Sequence, residues 1–108
     1  MSRITAVSPQ MAELVALDAE WEQIADGCTF TEGPLWVAAE DALYFSDMPA
    51  DTRRRWTAAG GVEVVASPSN KCNGTTLCMN GNQIHCEHST SSVVVWKDGR
   101  SEEHTSEL

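Results

Sequence analysis

Glu32-Gly33, Ala42-Leu43-Tyr44-Phe45-Ser46-Asp47, Arg55-Trp56-Thr57 and Gly60 are followed, in the same order, by Asn73-Gly74, Gln83-Ile84-His85-Cys86-Glu87-His88, Val95-Trp96-Lys97 and Gly99. The two passages stand 41 residues apart at Glu32/Asn73 and 40 apart at Trp56/Trp96, which places a one-residue slip in the second turn of the unit and aligns His88 with Asp47. A unit of about forty residues holding four short strands has the pattern of a β-propeller blade. Blade one then covers about residues 33–66 and blade two about 74–100, the latter with three of its four strands. Two blades do not close a ring of typically ~4–8. The expected fold is therefore all-β, the N-terminal part (about two blades) of a larger propeller.

Outward from the repeat, runs of β-branched and aromatic residues alternate with turn material. They are Trp21–Ala25, Gly33–Val37, Ala42–Asp47, Arg53–Thr57, Val62–Ala66, Gly74–Met79, Gln83–His88 and Ser92–Lys97. The spacing leaves no room for crossover helices. Residues 1–20 form an N-terminal extension in which Ser8-Pro9 caps a short amphipathic turn through Leu17. Trp21–Ala25 reads as an outer strand that closes the ring by joining the last blade.

The chain has 108 residues, 42% of them apolar, enough for one small core. Its formal charge of -9 opposes binding to nucleic acid or anionic lipid. The longest apolar run is a few residues, such as Val93–Trp96, far short of the ~20 that span a bilayer. The start carries no apolar segment of signal type, so the expected compartment is the cytoplasm. Arg53-Arg54-Arg55 reads as a solvated strand face, and Cys28, Cys72, Cys78 and Cys86 match no metal or redox spacing and read as reduced, half-buried small hydrophobes.

Arg100-Ser-Glu-Glu-His-Thr-Ser-Glu-Leu108 resembles a reading-frame translation of a widely used sequencing adapter. Residues 101–108 are accordingly read as a non-native tail outside the fold, with Arg100 ambiguous.

Thr31-Glu32-Gly33-Pro34-Leu35-Trp36, then Leu43-Tyr44-Phe45-Ser46-Asp47, Arg55-Trp56, Asn73-Gly74 and Cys86-Glu87-His88, resemble the senescence marker protein/gluconolactonase/regucalcin family over about Trp21 to Gly99. The resemblance implies a six-bladed propeller with one divalent cation in its channel and hydrolysis of sugar lactones or related esters. It also implies that the remaining ligands, and the general base among them, belong to later blades, so no catalytic residue is expected in this chain. Lys71 stands where many members place a basic residue that contacts the substrate's oxygens.

The repeat points to the same site. Equivalent positions of successive blades share a height around the axis, so Glu32 and Asn73 face one end of the channel as candidate metal ligands. A carboxylate with amide oxygens suits a hard cation, calcium first, with magnesium or zinc as alternatives. Alone, Glu32 would read as a strand-end salt bridge and Asn73 as an Asn-Gly turn. His88, on the side of Ile84 and Cys86, closes a strand with Asp47 as its counterpart and is a candidate substrate contact. His85, with Gln83 and Glu87, lies on the opposite face and receives no role, and Trp56 and Trp96 read as packing between blades. The leading function is a fragment of a divalent-metal-dependent sugar lactonase. A propeller used only as a binding scaffold is the alternative.

Overall fold

The computed structural model describes residues 4–97 and 100–106; the first three residues of the sequence start, Asp98 and Gly99, and the last two residues of the adapter-like stretch lie outside it. Nothing is described of the side chains from 98 onward. A one-turn helix α1 (Met11–Leu14) precedes eight strands: β1 (Thr31–Val37), β2 (Ala42–Asp47), β3 (Thr52–Thr57), β4 (Gly61–Ala66), β5 (Cys72–Leu77), β6 (Gln83–Glu87), β7 (Ser92–Lys97) and β8 (Arg100–Ser106). Among the described residues they form two four-stranded antiparallel meanders, β1-β2-β3-β4 and β5-β6-β7-β8. The strands β1 and β5 lie side by side. No helix among these residues is long and apolar enough to cross a membrane.

Three expectations are corrected. The helical turn stops at Leu14 rather than Leu17, because Val15 is already extended, and it buries none of its residues. Trp21–Ala25 is irregular rather than a strand. Blade two has a fourth strand: Arg100–Ser106 pairs with β7 from Lys97↔Arg100 to Val93↔Ser106. The unpaired N–H and C=O groups along the outer edge of β7 are a template for any extended backbone that turns back beside them. This pairing is a property of the edge and needs no particular side chains.

Strand pairing also moves the slip in the repeat. Leu35 pairs with Tyr44 and Trp36 with Leu43, while Thr76 pairs with Ile84 and Leu77 with Gln83. Leu43 faces Trp56 as Gln83 faces Trp96. The offset is thus 41 in the first strand of each blade and 40 in the next two, so the slip lies in the first hairpin loop. Turn geometry agrees at the offset of 40: Asp41 (φ 48°) matches Gly81 (φ 92°), and Asp51 (φ 55°) matches Ser91 (φ 52°). Glu32 and Asn73 remain equivalent, but Asp47 corresponds to Glu87, not to His88.

The seam between blades carries the core. Val37, Ala42, Tyr44 and Trp96 are buried together, with Leu35, Val65 and Ala66 packed against them. Tyr44 meets Trp96 edge to face at 5.8 Å, and His85 stacks on the same indole at 5.2 Å. Trp96 therefore packs between blades as expected. The face of β6 that points into the seam is Gln83, His85 and Glu87, whereas Cys86 and His88 are exposed. The expectation had favoured the other face because it carries the apolar Ile84. Both faces of a blade pack against neighbours, so alternation does not distinguish a polar face that is buried and hydrogen-bonded from one that is solvated. His85 Nε2 is 2.8 Å from Gln83 Oε1, which supplies its partner.

The triple arginine is the largest departure. Arg53 is fully buried at 0% exposure. Its Nη1 donates to the Gly33 carbonyl (2.8 Å) and Ser46 Oγ (3.0 Å), and its Nη2 donates to Thr75 Oγ1 (3.1 Å). Arg54 pairs with Asp47 at 3.6 Å, and Arg55 with Glu40 at 3.1 Å while lying over the Tyr44 ring. One residue faces the interior and two face partners, so the run is a hydrogen-bonding element rather than a solvated one.

Gly33 is a point of close approach between the blades. Its φ is +61°, and a Cβ there would lie 1.8 Å from the Asn73 carbonyl oxygen. Gly33→Ala combines a left-handed penalty of ~1–2 kcal/mol with an overpacking cost of ~1–3 kcal/mol. Gly61→Ala, at φ +66° with nothing within 4 Å, incurs only the first. Urea unfolding should show the former variant losing markedly more stability than the latter; equal losses would mean the seam is not close-packed at Gly33.

Candidate functional site

In each meander the first strand begins, the second ends, the third begins and the fourth ends at one rim. That rim gathers Glu32, Asp47, Asp51, Lys71, Asn73, Glu87 and His88. The heads of β1 and β5 share an irregularity: register shifts between Glu32 and Leu35 in blade one and between Cys72 and Thr75 in blade two. Such bulges bend a strand and re-aim the side chains beside them. Glu32 and Asn73 both sit at these bulges, and the backbones pass close enough at Gly33 that a side chain there would collide with the Asn73 carbonyl.

Glu32 is exposed and lines a groove of about 310 Å³ with Gln23, Ile24, Thr31, Pro34 and Phe45 among its walls. Asn73 is half-buried, and its Oδ1 accepts from the Gly74 amide at 2.5 Å. An amide oxygen has a second lone pair to offer. Among the described residues no three His, Cys, Asp or Glu side chains converge to hold a metal. Glu32 and Asn73 offer one carboxylate and one amide oxygen, which is hard-cation chemistry but only part of the 6–8 oxygens typical of calcium. These two residues fit such an ion as contributors to a shell completed by other donors.

Two carboxylates that sequence reasoning left without a role hold the segments leading into the strand heads. Asp47, 1% exposed, accepts from the amides of Thr29 (3.2 Å) and Phe30 (3.1 Å) just before β1. Its counterpart Glu87 accepts from Asn70 Nδ2 (3.3 Å) just before β5, and from Thr90 Oγ1. The signal for both was available: each is an acid at the end of a strand whose next residue begins a turn, at matched places in the repeat.

Asp51 performs a second restraint. From the β2–β3 turn its Oδ1 accepts from the amide of Lys71 (2.7 Å) and the amide and hydroxyl of Ser69. These bonds hold Asn70 and Lys71 at φ 58° and 55°, a left-handed pair that turns the chain sharply into β5. Lys71 Nζ reaches back to the carbonyls of Met48 (3.1 Å) and Pro49 (3.4 Å). Its ammonium therefore rests on the turn at the rim with one of its three donors left over. His88 is exposed beside it, and its amide donates to the Lys71 carbonyl at 3.3 Å.

A family model described as the SMP-30/gluconolactonase/LRE-like region matches residues 30–108. This chain belongs to that family. Over 69 residues it is 36% identical to the gluconolactonase of Zymomonas mobilis, a match spanning 64% of this chain and 19% of that protein. A gluconolactonase from Xanthomonas campestris, described as important in glucose secondary metabolic pathways, superposes with a TM-score of 0.69 at 28% identity over 73% of this chain and 27% of its own. A structural-genomics protein assigned to the gluconolactonases reaches 0.76 at 32% identity over 90% and 33%. The chain thus spans about a fifth of the curated gluconolactonase and a quarter to a third of the solved ones. Its two antiparallel meanders match blades of the gluconolactonase propellers.

The ionisable groups behind the rim give the fold a two-stage response to acid. Burial, reinforced by the charge of Arg53, holds the His85 pKa down to about 3. The unfolded chain takes up that proton near pH ~6.5. The stability linked to His85 is complete above pH ~6.5 and drains away as pH falls from there toward 3. Backbone hydrogen bonds from Phe30 and Lys71 hold Asp47 and Asp51 respectively below the usual carboxylate range. Their contributions are present above pH ~4 and are lost as pH falls through their lower native values. Urea midpoints measured against pH should fall in both windows, His85→Gln removing the first decline and Asp51→Asn weakening the second. A curve unchanged by His85→Gln would show the imidazole to be solvated.

Proposed function

We propose that this chain supplies two adjacent blades of a divalent-metal-dependent sugar lactonase, a hydrolase acting on lactone esters, with Glu32 and Asn73 as oxygen ligands. The observation that supports it most is the equivalence of these two residues at matching bulged strand heads, in a chain of the gluconolactonase family. Glu32 and Asn73 would hold a hard divalent cation, calcium first, which when bound would supply Lewis-acid polarisation of a lactone carbonyl and a lowered pKa for a nearby water. Glu32 contributes negative charge to the rim, and Asn73 contributes a neutral oxygen whose direction is fixed by its bulge. Asp51 and Lys71 keep the entry to β5 in the turn that presents Asn73. The spare donor of Lys71 and the exposed imidazole of His88 are placed to meet hydroxyl oxygens of a sugar lactone approaching that rim. The general base and further ligands come from other blades, so the 108-residue polypeptide should not hydrolyse gluconolactone.

The test belongs in a protein carrying the complete ring. Glu32→Gln preserves size and removes one negative charge; calcium affinity should fall by about tenfold or more, reasoning from the ~10–100-fold cost of disturbing outer-shell partners. Lactone turnover should fall with it and recover in part with excess calcium. Unchanged affinity and turnover would leave Glu32 an exposed strand-end charge worth ~0–1 kcal/mol and favour a propeller that binds without catalysing.

A further inference from the structure

The seam below the rim contains a feature that neither the repeat nor the family assignment accounts for. Arg53 is fully buried among neutral oxygens, and among the described residues its Nε has no hydrogen-bond partner. A buried guanidinium is expensive unless its donors are used. Its two terminal nitrogens are used in a specific pattern. Nη1 holds the carbonyl of Gly33, the residue after Glu32. Nη2 holds Oγ1 of Thr75, two residues after Asn73. Thr75 Oγ1 in turn donates to the same Gly33 carbonyl at 3.0 Å, closing a triangle across the two strand heads. Ser46 Oγ, at 3.0 Å from Nη1, fixes the fork from the side of β2.

The three corners of that triangle come from different strands: β3, β1 and β5. Nothing in either blade's own ladder fixes the height of one head against the other, because β1 and β5 belong to separate sheets. The fork does, and it acts where each strand has a bulge and its ladder is interrupted. Only a planar group with two parallel donors spans both acceptors; lysine, a point charge on a flexible stem, does not reproduce it.

We infer that Arg53 is a positioning residue that sets Glu32 and Asn73 against each other across the seam, acting through Gly33 and Thr75. This rests on reading those two residues as ligands, and the experiment separates the two claims. In the metal-free 108-residue chain, amide hydrogen exchange at Glu32, Gly33 and Leu35 and at residues 72–75 reports the positioning alone. In a protein carrying the complete ring, a calcium titration followed through the Asn73 side-chain amide signal reports its consequence.

Thr75→Val removes one corner of the triangle and leaves the rest of the chain intact; Thr75→Ser restores the hydroxyl; Arg53→Lys keeps the charge without the fork. Thr75→Val and Arg53→Lys should speed exchange at both heads together and weaken the calcium response by about tenfold, in the range found for outer-shell partners. Thr75→Ser should behave as the unaltered chain, and far strands such as β7 should keep their protection. Exchange unchanged at the heads in Thr75→Val, or raised throughout the molecule to the same degree, would overturn the inference. Exchange raised at both heads while Glu32→Gln leaves the calcium response untouched would sustain the positioning and remove Glu32 as a ligand.

Discussion

A guanidinium buried out of reach of bulk solvent organises this structure. Arg53 brings a permanent charge into the seam, where desolvation opposes that charge and lowers its pKa. The neighbouring groups are arranged around that fact. Gly33 presents a bare carbonyl, Ser46 and Thr75 present hydroxyls, and His85 is kept neutral first by its burial and then by the charge of Arg53. An apolar seam would hold two blades together equally well by area. It would not specify which height of one strand meets which height of the other, and a directional fork does.

Around that fork the rim is built in layers of restraint. Asp47 and Glu87 seize the approach to each strand head, Asp51 seizes the linker between blades, and the aromatic group of Tyr44, His85 and Trp96 seals the seam below. Asp47 and Asp51 satisfy backbone amides that lie outside the ladder, and Glu87 holds the side chains of Asn70 and Thr90. The exposed acid of Glu32 stands above these layers, free of the hydrogen-bonding duties that occupy Asp47 and Asp51. That division of labour, with some acids committed to the backbone and one presented to solvent, supports a binding rim at this end of the blades.

What the sequence disclosed was local and periodic. Strand positions from β1 to β7 followed from β-branched runs and turn residues, and the equivalence of Glu32 with Asn73 followed from the repeat. The interior of the seam was not legible in the same way. Arg53 sits in a run of three identical residues, and composition alone cannot single out the one that turns inward; Ser46 opposite it and Gly33 beyond are the clue, visible only once the strands are paired. His85 was hidden for a related reason, since the apolar Ile84 on the opposite face drew the reading of β6 outward. The match of Asp47 with Glu87 was obscured by a slip of one residue assigned to the wrong loop. The fourth strand of blade two was not foreseen, because backbone pairing along an open edge leaves no trace in side-chain pattern.

That displaced slip has a further meaning for how such a repeat tolerates change in length. The first hairpin loop of each blade lies at the rim remote from Glu32 and Asn73. A residue gained or lost there alters the count between blades without altering any register inside them: Thr31 and Cys72 still open their strands, and Trp56 and Trp96 still sit in matching places in the third. Length variation is thereby absorbed as slack at one end of the channel while the other end keeps its geometry. The rim that carries Glu32 and Asn73 is insulated from insertions by the full length of the strands.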